Sequence, residues 1–389
     1  MFDQQARLER LLARHRDAVV VEPLQGRPAL VRKDQVLVAA EDAAAAEDLV
    51  RRWYASRQDG HGVTRLRLRA PARVDVCELA AQLSGDGRHR KLSISPNHLV
   101  HGQPLWWSGP ADLPRAATAM PMPEPRPARR EVTVAVLDTG LDPHPWYEGT
   151  EWFAAQRSEV AEVLDADLDF ELDAQAGHGT FVAGVVLRHA PSARIRARRV
   201  IGGDGVGDEL DVIRALHWLA VWGGADVVNM SLGCYTFDDR PSPVLARALA
   251  MLGRRTVVVA CAGNGASDRP FWPAALKSVV GVAALDARAE DRAWFSNYGW
   301  WVDASTAGVD VASCFVRFDG PRGRVNGIDP DRFTGYATWS GTSFAAPAIA
   351  GRIASLAATE DLPVAAAADK VLDPAASPTR PDLGVIIRS

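Results

Sequence analysis

Residues Ala337–Gly351 read "ATWSGTSFAAPAIAG", and the fold turns on how this stretch is read. A Gly-Thr-Ser triplet runs into small apolar residues, and the run contains Pro347. A surface loop would be more polar, and a plain core helix would not carry a proline near its start without a reason. The pattern predicts a turn passing into a helix N-terminus, with Ser343 at the entrance. The first backbone N–H groups of a helix are unpaired, and its dipole is positive there. A serine in that place is either a cap or a nucleophile whose oxyanion the helix start stabilises. The choice depends on partners elsewhere in the chain.

The chain has 389 residues, enough for two domains or one large domain with an extension. A hydrophobic content of 47% supports a large core, and a net charge of -4 makes no general case for nucleic acid or an anionic membrane as partner. The basic cluster "RIRARR" (194–199) lies in a strand-like stretch and reads as a partly solvated edge. The amphipathic start "MFDQQARLERLLARHRD" lacks the unbroken apolar segment of a secretory signal, and no apolar run approaches the ~20 residues of a spanning helix. The expectation is a cytoplasmic protein. Cys77, Cys234, Cys261 and Cys314 form no CxxC pair, so they read as buried thiols rather than zinc ligands.

Residues 108–130, "SGPADLPRAATAMPMPEPRPARR", are rich in Pro and Ala and read as an extended linker. The linker divides an N-terminal part, residues 1–107, from a larger part, residues 131–389. The first part interleaves apolar runs ("AVVV", "QVLVA"), a helix from Glu41 to about Ser56, an alternating strand "VTRLRLR", a helical "VDVCELAAQL" and a short strand "KLSIS". This predicts a small α+β domain with helices on one face of a sheet. His61, His89, His98 and His101 show no ligand spacing. The second part alternates strand and helix: "VTVAVLD", "HGTFVAGVVLRHA", "RIRARRVI", a helix over 208–222, "DVVNMSL", "SPVLARALAML", "TVVVACAG" and "SVVGVAAL". That order predicts an α/β fold with a parallel sheet covered on both faces. Ligands in such sheets sit at the carboxyl ends of strands. Asp138, the stretch Ser231–Gly233 and Asn264 all fall there.

A serine hydroxyl is a poor nucleophile at neutral pH and needs a base, and the base needs a third group to orient it. His178 in "AGHGTFVAG" and Asp138 at the end of an apolar strand supply candidates, since a buried carboxylate requires a donor. Asn264 in "CAGNG" offers an amide to an oxyanion. Each piece alone is weak, because "HGT" also suits a cap and "DTG" a turn. Together, "AVLDTGLD", "GHGTFVAG", "NMSLG", "VVACAGN", "FSNYG" and "SGTSFAAPAIAG" resemble the subtilisin-family serine peptidases, the subtilases of S8 type. The resemblance covers Val132 to about Ala358. It implies a subtilisin-like three-layer sandwich and a serine endopeptidase that cuts peptide bonds through an acyl-enzyme. Asp138, His178 and Ser343 would form the triad and Asn264 the oxyanion donor. Ser231, Leu232, Gly233 and Gly263 would bind substrate backbone, and peptides or proteins would be the substrates.

Departures from the family pattern are informative. Phe181 follows "HGT" where many members carry a second histidine. Trp146 replaces an acidic residue that helps relatives bind calcium. No metal ligand set or cofactor is therefore assigned, although calcium is common in the family, and Asp142 reads as a turn residue. Cys234 and Cys261 fall close to the expected cleft. Phe271, Trp272 and Asp268 fall where the specificity pocket is expected, and Trp300 and Trp301 offer an apolar surface. The N-terminal part resembles a subtilase propeptide in size and interleaving only, so it is either a cleavable inhibitor, cut in the linker at sites such as Arg129-Arg130, or a permanent regulatory domain. The competing function is a catalytically silent protein that binds peptides in the same cleft.

Overall fold

The computed structural model describes residues 4–69, 74–85, 91–102, 113–320 and 331–388. His89 and the first residues of the linker, 108–112, lie outside that set. Eight described strands form the main sheet, in the spatial order Thr379–Arg380, Gly384–Ile386, Ala304–Ala307, Val279–Leu285, Val257–Cys261, Val227–Met230, Thr133–Asp138 and Arg194–Arg199. All neighbours are parallel except the first two. The inner strands are Val- and Ala-rich and buried except at Val257 and Val280, as a parallel sheet covered on both faces requires. The edge strand Arg194–Arg199 alternates buried Ile195 and Ala197 with half-exposed arginines, which is the solvated edge expected from its sequence.

Helix Thr342–Glu360 crosses beneath the sheet and packs on helix His178–His189. Its small residues, with Ala345, Ala346 and Ala350 fully buried, permit that approach. Helices Glu209–Trp218 and Pro243–Ala250 join the same core through Val212, Leu216, Val244 and Leu245, and they also touch the N-terminal sheet. The result is an α/β sandwich.

The N-terminal part has its own core of Val36, Val38, Leu66, Ile94 and neighbours. Its antiparallel sheet runs Tyr54–Gly60, Val63–Leu68, Ala29–Ala39, Ile94–His101 and then Val206–Asp208, a strand of the larger domain. The helix expected from Glu41 to Ser56 stops at Val50, and the chain turns into the strand Tyr54–Gly60. Pairing with Val63–Leu68 outweighs a local pattern that was compatible with either state. The described end of the linker is extended, and Arg115–Ala116 pairs with the strand Arg332–Trp339. Arg129 and Arg130 are tied down: the Arg129 N–H donates to Ala358 O at 2.8 Å, and Arg130 reaches Leu362 O and Asp226.

The two parts meet in a buried polar cluster. His98 Nδ1 lies 2.9 Å from Glu209 Oε2, both residues at most 1% exposed. Ser242 Oγ donates to Glu209 Oε1 and sits 3.0 Å from Ser95 Oγ. Asn97 Oδ1 accepts the Leu210 N–H at 3.3 Å and so caps the helix start from across the interface. At the rim Arg269 donates to Pro28 O at 2.7 Å, and His15 lies 2.7 Å from Asp204. A buried acceptor stripped of its partner costs far more than a surface pair. His98→Ala is therefore expected to destabilise the full chain by roughly 3 kcal/mol, measured by urea titration, whereas Arg51→Ala, in an exposed pair, should change it by less than about 1 kcal/mol.

Candidate active site

Asp138 ends its strand 1% exposed. Its Oδ1 accepts from the Thr139 N–H at 2.8 Å and pairs with His178 Nδ1 at 2.7 Å. His178 opens its helix, preceded by Gly177 at φ +83°. A side chain at 177 would be strained there, and its Cβ would lie 2.6 Å from the Phe315 ring. The imidazole is held edge-on by Trp339 at 5.3 Å and packed by Phe344 at 5.4 Å. Its Nε2 has no hydrogen bond.

Ser343 is the second residue of its helix, where the backbone N–H has no intrahelical acceptor. Its Oγ donates towards Gly102 O and Ser231 O, each at 3.3 Å. Pro347 now has its reason. A helical residue at 347 would donate its N–H to Ser343 O, and proline has none. The Ser231 hydroxyl takes that carbonyl instead, at 2.7 Å, and itself accepts from Asn229 Nδ2 at 3.0 Å. The missing bond thus joins the helix Thr342–Glu360 to the end of the strand Val227–Met230.

Asn264 Oδ1 accepts from both Thr342 N and Thr342 Oγ1 at 2.9 Å. With the oxygen fixed, Nδ2 remains as a donor. Asn264, His178 and Ser343 line one small cavity with Gly102, Gln175, Trp339, Ser340, Gly341 and Phe344. The structure therefore brings Asp138, His178, Asn264 and Ser343 to one place. The hydroxyl bonds to backbone carbonyls in this state, and no bond joins it to His178.

Of the substrate-binding candidates, Ser231 and Leu232 are fully buried. Gly233 faces the cleft and exchanges two bonds with His101, at 2.8 and 3.1 Å. A Cβ on Gly233 would meet Trp272 O at 2.5 Å, so only glycine fits between the two segments. Gly263 has φ +93° and packs on Asn297, whose side chain ties Ala262 O, Gly265 N and Ser267 N together. Phe271 and Trp272 are buried beneath this wall, and of the tryptophan pair only Trp300 is exposed.

Thr342 and Asn297 lie inside the quoted motifs, and Ser231 uses its hydroxyl to hold Ser343 O; these tying roles join motifs distant in sequence, which no single motif reveals. Phe181 packs 4.6 Å from Phe344 and 5.8 Å from Trp339, filling space behind the imidazole. Trp146 is buried and stacks edge-on with His144, whose pKa burial lowers to about 4. Asp142 donates its N–H to Thr180 Oγ1. Asp165, Asp167 and Asp169 gather three carboxylate oxygens within 4.8 Å on an outer loop. Asp165 already accepts from the N–H groups of Asp169 and Phe170, and Arg14 lies 3.7 Å from Asp167. These carboxylates are thus already engaged by backbone donors and a guanidinium.

Residues 129–375 match the model of the subtilase family. The chain belongs to the subtilase family. This subtilase is 35% identical over 237 residues to the thermophilic serine proteinase of Bacillus sp. (strain AK1), covering 58% of this chain and 51% of that protein. It is 33% identical over 236 residues to subtilisin BL of Lederbergia lenta, covering 57% of this chain and 75% of that one. The chain thus spans about half the length of the first relative. A crystal structure of a lanthipeptide protease shares the fold with a TM-score of 0.51 at 20% identity, over 66% of this chain and 84% of that one.

All four cysteines are unpaired and buried. Burial pushes the Cys261 and Cys314 thiols up to about 12 and the Cys77 and Cys234 thiols also upward, so thiolate is scarce near neutrality. Ellman's reagent is expected to find no reactive thiol in the native protein at pH 8 and four after unfolding.

Proposed function

We propose that this subtilase is a serine endopeptidase acting on peptides or proteins. The observation that carries the reading is the buried Asp138–His178 pair beside a helix-start serine, with Asn264 Nδ2 left as a donor. Rotation of the Ser343 hydroxyl from Gly102 O towards His178 lets Oγ–H donate to Nε2, the free acceptor of the imidazole. Attack by Oγ on a carbonyl then moves the hydroxyl proton to Nε2, and Asp138 holds Nδ1 and stabilises the imidazolium. The developing oxyanion meets the Ser343 N–H and Asn264 Nδ2. Collapse passes the proton to the leaving amine and leaves an acyl-enzyme, which water cleaves by the reverse sequence. The backbone of Gly233 supports extended substrates paired as an added strand.

The same subsite suggests how the chain restrains itself. His101 and Gly102 enter the cleft as such a strand: His101 pairs with Gly233, the Gly102 N–H donates to Gly205 O at 3.1 Å, and Gly102 O takes the Ser343 hydroxyl. In this reading the N-terminal domain competes with substrate and makes the chain a zymogen-like form. The silent-binder alternative draws on the same hydroxyl, which is turned away from the imidazole.

A fluorophosphonate probe is expected to label the wild type and not Ser343→Ala. Ser343→Ala should lower kcat by the ~10⁶ seen for the same loss in subtilisin, and Asn264→Ala by the ~10²–10³ seen there for its oxyanion donor. A folded wild type that is neither labelled nor active with its cleft freed would establish the silent binder. His101→Pro removes one N–H from the pairing with Gly233, so it should raise the labelling rate of the full chain. An unchanged or lower rate would count against self-restraint.

A further inference from the structure

Glu162 belongs to none of the quoted motifs, yet its carboxyl oxygens are enclosed behind the catalytic pair. Its Oε1 accepts from Thr139 Oγ1 at 3.0 Å, from Thr180 Oγ1 at 3.3 Å and from the Thr180 N–H at 3.4 Å. Thr139 follows Asp138 directly, and its Oγ1 also accepts the N–H of Gly179, the neighbour of His178, at 2.8 Å. Thr180 Oγ1 in turn accepts the Asp142 N–H at 2.8 Å. One carboxyl oxygen therefore ties the turn after Asp138 to the first turn of the helix that carries His178. The backbone runs close as well: Leu141 N–H donates to Val160 O at 2.8 Å, and a Cβ on Gly140 would lie 3.2 Å from Glu162 Cα.

We propose that Glu162 is a positioning residue for the catalytic pair, its carboxyl clamping Thr139 and Thr180 so that Asp138 and His178 meet. This deepens the endopeptidase reading and rests on it for its effect on turnover. The second oxygen, Oε2, is buried without a hydrogen bond, as is Asp138 Oδ2. Two ionised carboxylates so placed, with burial against them, would repel across a medium that screens poorly. Burial, and then the charge of Asp138, push the Glu162 carboxyl from 4.5 up to about 8. Among the described residues, ionisable groups around this region include His178, Asp142 with Arg157 near it, the buried Tyr147 hydroxyl, the Cys314 thiol on Thr180 O at 3.3 Å, and Arg199 at Ala161 O, 3.4 Å.

Between about 4.5 and about 8 the folded chain holds a proton that the unfolded chain has released. Stability from this group therefore falls as pH rises through that window, and it levels off above. Glu162→Gln keeps an acceptor oxygen and does not titrate. Its Tm relative to wild type should rise steadily from pH 5 to pH 8, and a flat difference would overturn a neutral Glu162.

Positioning is read directly in the full chain from the downfield proton resonance of the His178 Nδ1–H. It should persist in Glu162→Gln and be lost or shifted in Glu162→Ala. In turnover per titrated Ser343, Glu162→Ala should lose roughly tenfold to a hundredfold in kcat with KM little changed, and Glu162→Gln should recover most of that loss. Should Glu162→Ala not fold, Thr139→Val, which deletes the hydroxyl between Glu162 and Gly179, is expected to show the same loss. A wild-type resonance and kcat in Glu162→Ala, or in Thr139→Val, would overturn the proposal. Absence of any wild-type turnover would instead defeat the endopeptidase reading, while the resonance and the Tm difference would still decide the role of Glu162.

Discussion

A carboxylate buried at the end of a central strand must be matched by a donor, and the site is organised around that need. Asp138 lies 1% exposed with its neighbours drawn from an apolar sheet. Left unpaired there, it would cost several kcal/mol. The His178 imidazole and the Thr139 N–H meet one of its oxygens. That requirement fixes where the helix His178–His189 begins, how close its first turn comes to the strand end, and why Gly179, whose Cβ would lie 3.2 Å from Asp138 Cβ, carries no side chain at the approach.

A second constraint links the nucleophile to the sheet. Pro347 withholds a backbone donor from Ser343 O, and Ser231 fills the gap from the end of the strand Val227–Met230. Thr342 meanwhile fixes Asn264 by two bonds. Ser343, Asn264 and the segment 231–233 are thereby held at the ends of two adjacent strands, Val227–Met230 and Val257–Cys261, which a parallel sheet brings to one edge. The N-terminal domain uses that same edge. Its last described strand, fully buried, pairs with Val206–Asp208 and carries His101 and Gly102 into the cleft. The buried His98–Glu209–Ser242 cluster anchors this strand a few residues upstream.

Much of this architecture was legible in the chain itself. The Val- and Ala-rich runs announced buried parallel strands, and "HGTFVAGVVLRHA" predicted a helix that does begin at His178. The motif order around Asp138, His178, Asn264 and Ser343 led to the subtilase family, to which the chain belongs. The helix expected over 41–56 ends at Val50, because Tyr54–Gly60 is a polar edge strand held by its hairpin partner Val63–Leu68, and its own exposed, polar residues carry no strand-like alternation.

What the sequence determined by itself was therefore local: residue types, periods of two and 3.6, strand ends rich in chemistry, and the glycine and proline positions that punctuate them. Only the tertiary structure decided which distant groups share a hydrogen bond. Glu162 lies 16 residues from His178 in an irregular stretch, and Ser231 lies 112 from Ser343. His98 and Glu209 lie 111 apart in different domains. Periodicity and propensity act over a few residues, whereas a buried polar atom takes its partner from whichever segment packing brings within about 3 Å, and nothing in either segment alone specifies the other.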